Sequence, residues 1–328
     1  MQHRMQKQKE TPWQGQVVFQ GPDVLQRLDR LQVRDKLQVK LLAPEVWRKL
    51  QQTHSQMLEP ILRPYLARRS RQEKQPVMDF LFKYYSFRPA QLLRWSPGIG
   101  VRLALDGDAL PEISELTIGR DEAWLDPASI PLKKRKSLEW IRKLLHQTEE
   151  KPPVFSCFGM HEWAMVYRSQ DVRHEQLPLR LSPDAIAAFV ESRPLACTHF
   201  DAFRFFTEEA RPLNRYELSR EHFAEMEQPG CIHSNMDLYK WAYKGYPWVS
   251  GEVIRDAFLL AVEARHVDMQ ASPYDMRGGG LRPIAIETEE GRREYVERQH
   301  AIWARGRSVR RRLIEELERV LGEKAGMA

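Results

Sequence analysis

Apolar residues fall at helical spacing in one segment after another of this 328-residue chain, and nowhere gather into a long unbroken run. Val77, Phe80, Leu81, Tyr84 and Tyr85 recur at helical intervals, as do Ile254, Ala257, Phe258, Ala261 and Val262, and again Leu313, Ile314, Leu317, Val320 and Leu321. A stripe of that period buries one face of a helix against a shared core. Strand-like character is confined to short stretches: residues 101–105, closed by Asp106-Gly107, and residues 179–181 and 195–199 flanking a helix near 183–191. The chain therefore reads as α+β, predominantly helical, with a small sheet in its central domain.

Punctuation gives the expected boundaries. Pro44 suits the first turn of a helix over 43–71, with Pro64 kinking or ending it. Further helices are expected over 89–95, 132–146, from Ser234 or Asn235 as cap to 244, and over 252–269 behind a Ser250 cap. Two more, 288–306 and 308–322, close the chain, and the glycines 278–280 read as a flexible loop. Residues 149–153 (Glu-Glu-Lys-Pro-Pro) read as a linker. Three regions follow: a basic helical N-terminal region, 1–75, with residues 1–12 as a mobile polar lead; a core domain, 76–285; and C-terminal helices, 286–328.

Residues 1–75 hold 15 Lys/Arg against 7 Asp/Glu, leaving 36 against 38 for the rest of a chain whose net charge is +6. Basic runs at Arg68-Arg69-Ser70-Arg71, Lys133-Lys134-Arg135-Lys136 and Arg310-Arg311-Arg312 could meet phosphates, and are as readily solvated helix faces. No run approaches the roughly 18–20 apolar residues that cross a bilayer. The N-terminus lacks the hydrophobic segment of a secretory signal, and three cysteines do not make a disulfide framework. The expectation is a cytoplasmic protein with no membrane partner.

Past Val154 the texture changes, and three segments share one grammar: Phe155-Ser-Cys157-Phe-Gly-Met-His161-Glu162-Trp163, Cys197-Thr-His199-Phe-Asp201-Ala-Phe-Arg204 and Gly230-Cys231-Ile-His233-Ser-Asn235-Met-Asp237. Each sets a cysteine two or four residues before a histidine and a carboxylate soon after it. Buried imidazoles and carboxylates cost free energy unless they pair. Three readings stay open. His161, His199 and His233 could converge on a divalent metal, with Glu162, Asp201 or Asp237 as oxygen ligand or general base. The same histidines and carboxylates could do acid–base work unaided. Or they could be core pairs, with the cysteines as small fillers. Around them Arg204, Lys240, Asn214 and Asn235 could hold a polar ligand, Tyr239 and Trp241 could stack on a ring, and Tyr274 and Asp275 lie in a Ser-Pro-Tyr-Asp turn. On a helix, Asp237 and His233, four apart, share a face.

Asp79-Phe-Leu-Phe-Lys-Tyr-Tyr-Ser-Phe-Arg-Pro89, Cys157-Phe-Gly-Met-His-Glu-Trp-Ala-Met-Val-Tyr-Arg168, His199-Phe-Asp-Ala-Phe-Arg-Phe-Phe206 and Gln228-Pro-Gly-Cys-Ile-His-Ser-Asn-Met-Asp-Leu-Tyr-Lys-Trp-Ala-Tyr243 together resemble a bacterial family commonly labelled 3-methyladenine DNA glycosylase. The resemblance covers roughly residues 76–300. It implies cleavage of an N-glycosidic bond to release a damaged base from DNA or from a nucleoside-like small molecule. An oxocarbenium-like sugar would then be stabilised by Asp237 or Asp201. Ser96-Pro-Gly-Ile-Gly100 is similar to the hairpin with which helix-hairpin-helix glycosylases grip DNA, although strand-like residues follow it here. A small-molecule enzyme with a His/Asp site, metal-assisted or not, and a non-catalytic ligand-binding protein are the alternatives.

Overall fold

The computed structural model describes residues 39–107, 109–169 and 177–322; the expected polar lead, residues 1–12, lies outside them. Ten helices and a four-stranded sheet are formed by the described residues. In chain order the strands are β1 (Lys40–Leu42), β2 (Val101–Ala104), β3 (Leu116–Ile118) and β4 (Glu122–Leu125). The helices are α1 (Pro44–Ser70), α2 (Pro76–Asp79), α3 (Leu132–Glu150), α4 (Met160–Ala164), α5 (Pro183–Glu191), α6 (Phe200–Phe203), α7 (Phe223–Met226), α8 (Ile232–Lys244), α9 (Gly251–Ala271) and α10 (Glu289–Leu321). The α+β, mainly helical architecture read from the sequence is the one observed.

The sheet runs β1-β2-β4-β3, with β1 parallel to β2 and the other pairs antiparallel. It draws its edge strand from the N-terminal region. The stretches 179–181 and 195–199 are not strands of it; they make only single bridges, Leu179 to Tyr274 and Leu195 to Asn214. Ser96–Gly100 leads into β2, so no second helix follows it as the DNA-gripping hairpin requires.

Helix α1 passes through Pro60 and Pro64 to Ser70 instead of ending at Pro64. Both prolines are solvent-exposed, while His54, Leu58, Leu62 and Tyr65 are buried along the opposite stripe. That docking outweighs the cost of an internal proline, about 3 kcal/mol. The helix expected over 76–85 breaks after α2 into a π turn, Phe80–Tyr84, and 89–95 is a 3-10 turn, Pro89–Leu93. Glu149, expected in a linker, lies in the last turn of α3 and receives Arg307, Arg310 and Arg311 of α10.

At the centre lies α9, capped by the Ser250 hydroxyl as its sequence predicts and buried along most of its length. It packs on α8 and α10. The two C-terminal helices expected are one, because α10 continues through Gly306. A Cβ there would come within 1.8 Å of Asn235 Oδ1, so glycine is what lets α10 lie against α8. Ser234 and Asn235 are interior residues of α8, whose N-cap is Cys231. No helix of the described residues is long and apolar enough to cross a membrane.

Candidate functional site

The three Cys/His segments arrive from different elements and meet. Gly159, at φ 77°, turns the chain sharply into α4 and carries His161 inward; a Cβ at Gly159 would meet Ala271 and Tyr295 at 3.2 Å. His199 is the N-cap of α6, and His233 sits in the first turn of α8. The His161 and His233 rings lie edge to face at 4.5 Å, and His199 stacks on His233 at 5.1 Å. All three are buried. Behind them Cys157, Cys197 and Cys231 close a small cavity of about 10 Å³ that His161 and His233 also line.

On one side of this row, His161 Nε2 faces Asp268 Oδ1 at 2.7 Å, and its Nδ1 faces Cys157 Sγ at 3.3 Å. Arg265 donates through Nη1 to Asp268 Oδ2 at 2.6 Å and to Glu162 Oε1 at 2.7 Å. Burial opposes charge on His161, yet the Asp268 carboxylate raises its pKa well above the usual imidazole value. His233 goes the other way, because burial and the charge of His161 both disfavour its protonated form. The close Cys197 thiol, opposed by burial and aided by His161, holds the Cys157 thiol well below its ordinary value.

On the other side, His199 Nε2 lies 3.5 Å from Asp237 Oδ2 and 3.8 Å from Glu227 Oε2. Burial opposes its protonation, but the Glu227 and Asp237 carboxylates prevail and raise its pKa. Asp237 also accepts from the Tyr85 hydroxyl at 2.8 Å and from Lys240 Nζ at 3.0 Å. Against the effect of burial, Lys240 and His199 hold the Asp237 carboxyl below its usual range. Glu227 is pushed up by burial, and its Oε1 accepts from the Ser234 hydroxyl at 2.6 Å.

His199, His233, Asp237, Glu162 and Arg265 form the floor of an open cleft of about 470 Å³. Phe80, Tyr84, Tyr85 and Phe205 wall it, and Lys74 and Lys83 stand among its lining residues. The volume falls within the range of small-molecule sites.

Of the residues expected to bind substrate, Lys240 and Arg204 touch residues that line this cleft. Lys240 bridges Asp237 and Asp201, and Arg204 pairs with Asp201 at 3.4 Å and donates to the Tyr84 hydroxyl at 3.2 Å. The others are placed elsewhere. Asn214 ties its side chain to the Cys197 backbone and to Tyr216 O. Asn235 donates to Pro229 O and Cys231 O and accepts from Arg310. Tyr239 is buried among Tyr85, Phe87 and Phe258. Trp241 packs against Trp140. Tyr274 is buried at its bridge to Leu179, and Asp275 is held by Arg277. Asp237 turns to His199 of another segment instead of His233 on its own helix.

Tyr85 lay in a quoted segment without an assigned role, and three residues of the centre lay outside every quoted segment: Glu227, Arg265 and Asp268. The signal for the last two was present, because 254, 258, 261, 265 and 268 continue one helical stripe that turns from apolar to charged. Among His, Cys, Asp and Glu side chains, His161, His233 and Asp268 offer ligand atoms within 4.8 Å of one another. That set takes Asp268 where the sequence pointed to His199. Family models, curated proteins and solved structures give no match to this chain.

Proposed function

We propose that this protein is an enzyme that binds a compact, ring-bearing molecule in the cleft and cleaves it with His199 and Asp237, the reaction being hydrolysis of an N-glycosidic bond. The observation that carries the reading is the convergence of a buried, multiply held carboxylate and an imidazole beneath a wall of aromatic rings. A carboxylate fixed by Lys240 and Tyr85 suits a cationic, oxocarbenium-like sugar, which it would stabilise without moving. An imidazole 3.5 Å away is within reach to protonate the departing base or to orient water. Phe80, Tyr84 and Phe205 give the cleft the aromatic lining against which a base would pack. A cleft of about 470 Å³ accommodates a nucleoside or a single extruded nucleotide, not a duplex.

The test is release of free base, followed chromatographically, from a panel of nucleosides, nucleotides and alkylated duplex DNA. Release from at least one class, abolished in Asp237→Asn, is expected. No release from any class, or undiminished release by a folded Asp237→Asn protein, overturns the proposal. Preference for the duplex would assign Arg68 and Arg69 in the last turn of α1 and Arg71 just after it, close in sequence to the cleft residue Lys74, to phosphate contacts.

A further inference from the structure

We propose that His161, His233 and Asp268 form a mononuclear site for a divalent first-row transition-metal ion at the inner end of the cleft. This deepens the reading of the cleft as a catalytic centre, and it rests on groups that the cleavage chemistry above does not use.

Three features support it. The first is the donor set: two imidazoles and one carboxylate are a recurring catalytic combination for zinc and for non-haem iron, and they leave coordination positions open. The second is spacing. Ligand atoms about 2.1 Å from one ion and at right angles stand about 3.0 Å apart; His161 Nε2 and Asp268 Oδ1 are 2.7 Å apart, and the third donor lies within 4.8 Å of both. The ring of His233 contacts the His161 and His199 rings and makes no side-chain hydrogen bond among the described residues, so its nitrogens are available. The third is the surrounding shell. His161 presents its other nitrogen to Cys157 Sγ, and the second oxygen of Asp268 is held by Arg265, as supporting groups orient metal ligands. Beside them, two buried polar atoms of residues that line the enclosed cavity with His161 and His233, Tyr295 Oη and Gln299 Oε1, find no hydrogen-bond partner among the described residues. His233 lines both that cavity and the cleft, so an ion held there would meet a molecule bound in the cleft.

The experiment is titration of the chelator-treated, full-length protein with Co(II) under anaerobic conditions, with stoichiometry by elemental analysis and geometry by absorption. One Co(II) per chain is expected, without the intense near-ultraviolet band of a thiolate ligand. His233→Ala and His161→Ala should each abolish stoichiometric binding. Cys157→Ser should keep one ion with affinity weakened by about 10- to 100-fold, and His199→Ala should also keep it. Should the His161 variant fail to fold, His233→Gln and the spectrum of the wild-type protein decide. Absence of binding, binding that survives His233→Ala, or a thiolate band would each overturn the site. A protein that releases base but binds no Co(II) removes this proposal alone; a protein that binds one Co(II) at these ligands but turns over none of the panel removes the proposed reaction alone.

Discussion

The hydroxyl of Tyr85 donates to Oδ1 of Asp237 at 2.8 Å, joining the aromatic wall of the cleft to α8 across 152 residues of sequence. Tyr85 is itself packed edge-on against Phe80 and Tyr239, so Tyr85→Phe keeps its shape and removes one bond to a buried charge. A loss of about 1–3 kcal/mol in denaturant unfolding is expected, together with reduced turnover at unchanged fold. An unaltered unfolding midpoint would show that Lys240 alone suffices to hold the carboxylate.

Asp237→Asn retains the shape of the side chain but leaves Lys240 with Asp201 as its remaining partner. Stability should fall by about 1–3 kcal/mol, in the range of a disrupted buried network, while turnover falls by orders of magnitude. Asp201→Asn, at a less buried position beside the same lysine, should cost less in both measurements. Equal loss of activity in the two variants would make the lysine bridge, not Asp237, the decisive element.

His54 links stability to pH. Its ring is buried on α1, with one nitrogen 2.7 Å from Leu92 O and with Arg255 and Asp256 of α9 as its nearby charges. Burial lowers its pKa from 6.5 to about 4. The unfolded chain therefore binds the proton first as pH falls. The contribution is whole above pH 6.5 and is lost between pH 6.5 and 4, on the order of 3 kcal/mol. Melting temperatures from pH 7.5 to 4.5 should fall less steeply in His54→Gln than in the parent; parallel curves would exclude the linkage.

At Gly306 two effects of opposite sign compete. Alanine is favoured over glycine inside a helix by up to about 1 kcal/mol. Here the added Cβ would overlap Asn235 Oδ1, a side chain fixed by Pro229, Cys231 and Arg310, so it cannot swing away cheaply. Gly306→Ala is expected to destabilise by about 1–3 kcal/mol, whereas Gly278→Ala, with nothing within 4 Å, should stay within about 0.5 kcal/mol of the parent. A stabilised Gly306→Ala protein would show that α10 can shift away from α8.

What the sequence determined by itself was local. Spacing of three and four set the helices, Ser250 set the start of α9, and alternation over 101–105 set β2, because periodicity and capping depend on neighbours a turn away. The shared Cys/His/carboxylate grammar likewise pointed to three segments whose imidazoles do assemble. What only the tertiary structure decided was pairing at a distance. That β1 would lie beside β2, that α1 would continue through Pro64 and α10 through Gly306, and that Asp237 would serve His199 instead of His233, each turned on packing partners far along the chain. Asp268 and Arg265 were visible as charges on an otherwise apolar stripe, yet a charge on a helix face acquires a role only from the side chain brought against it. Here those are His161 and Glu162, a hundred or so residues away, and their arrival turns an electrostatic liability into the floor of the site.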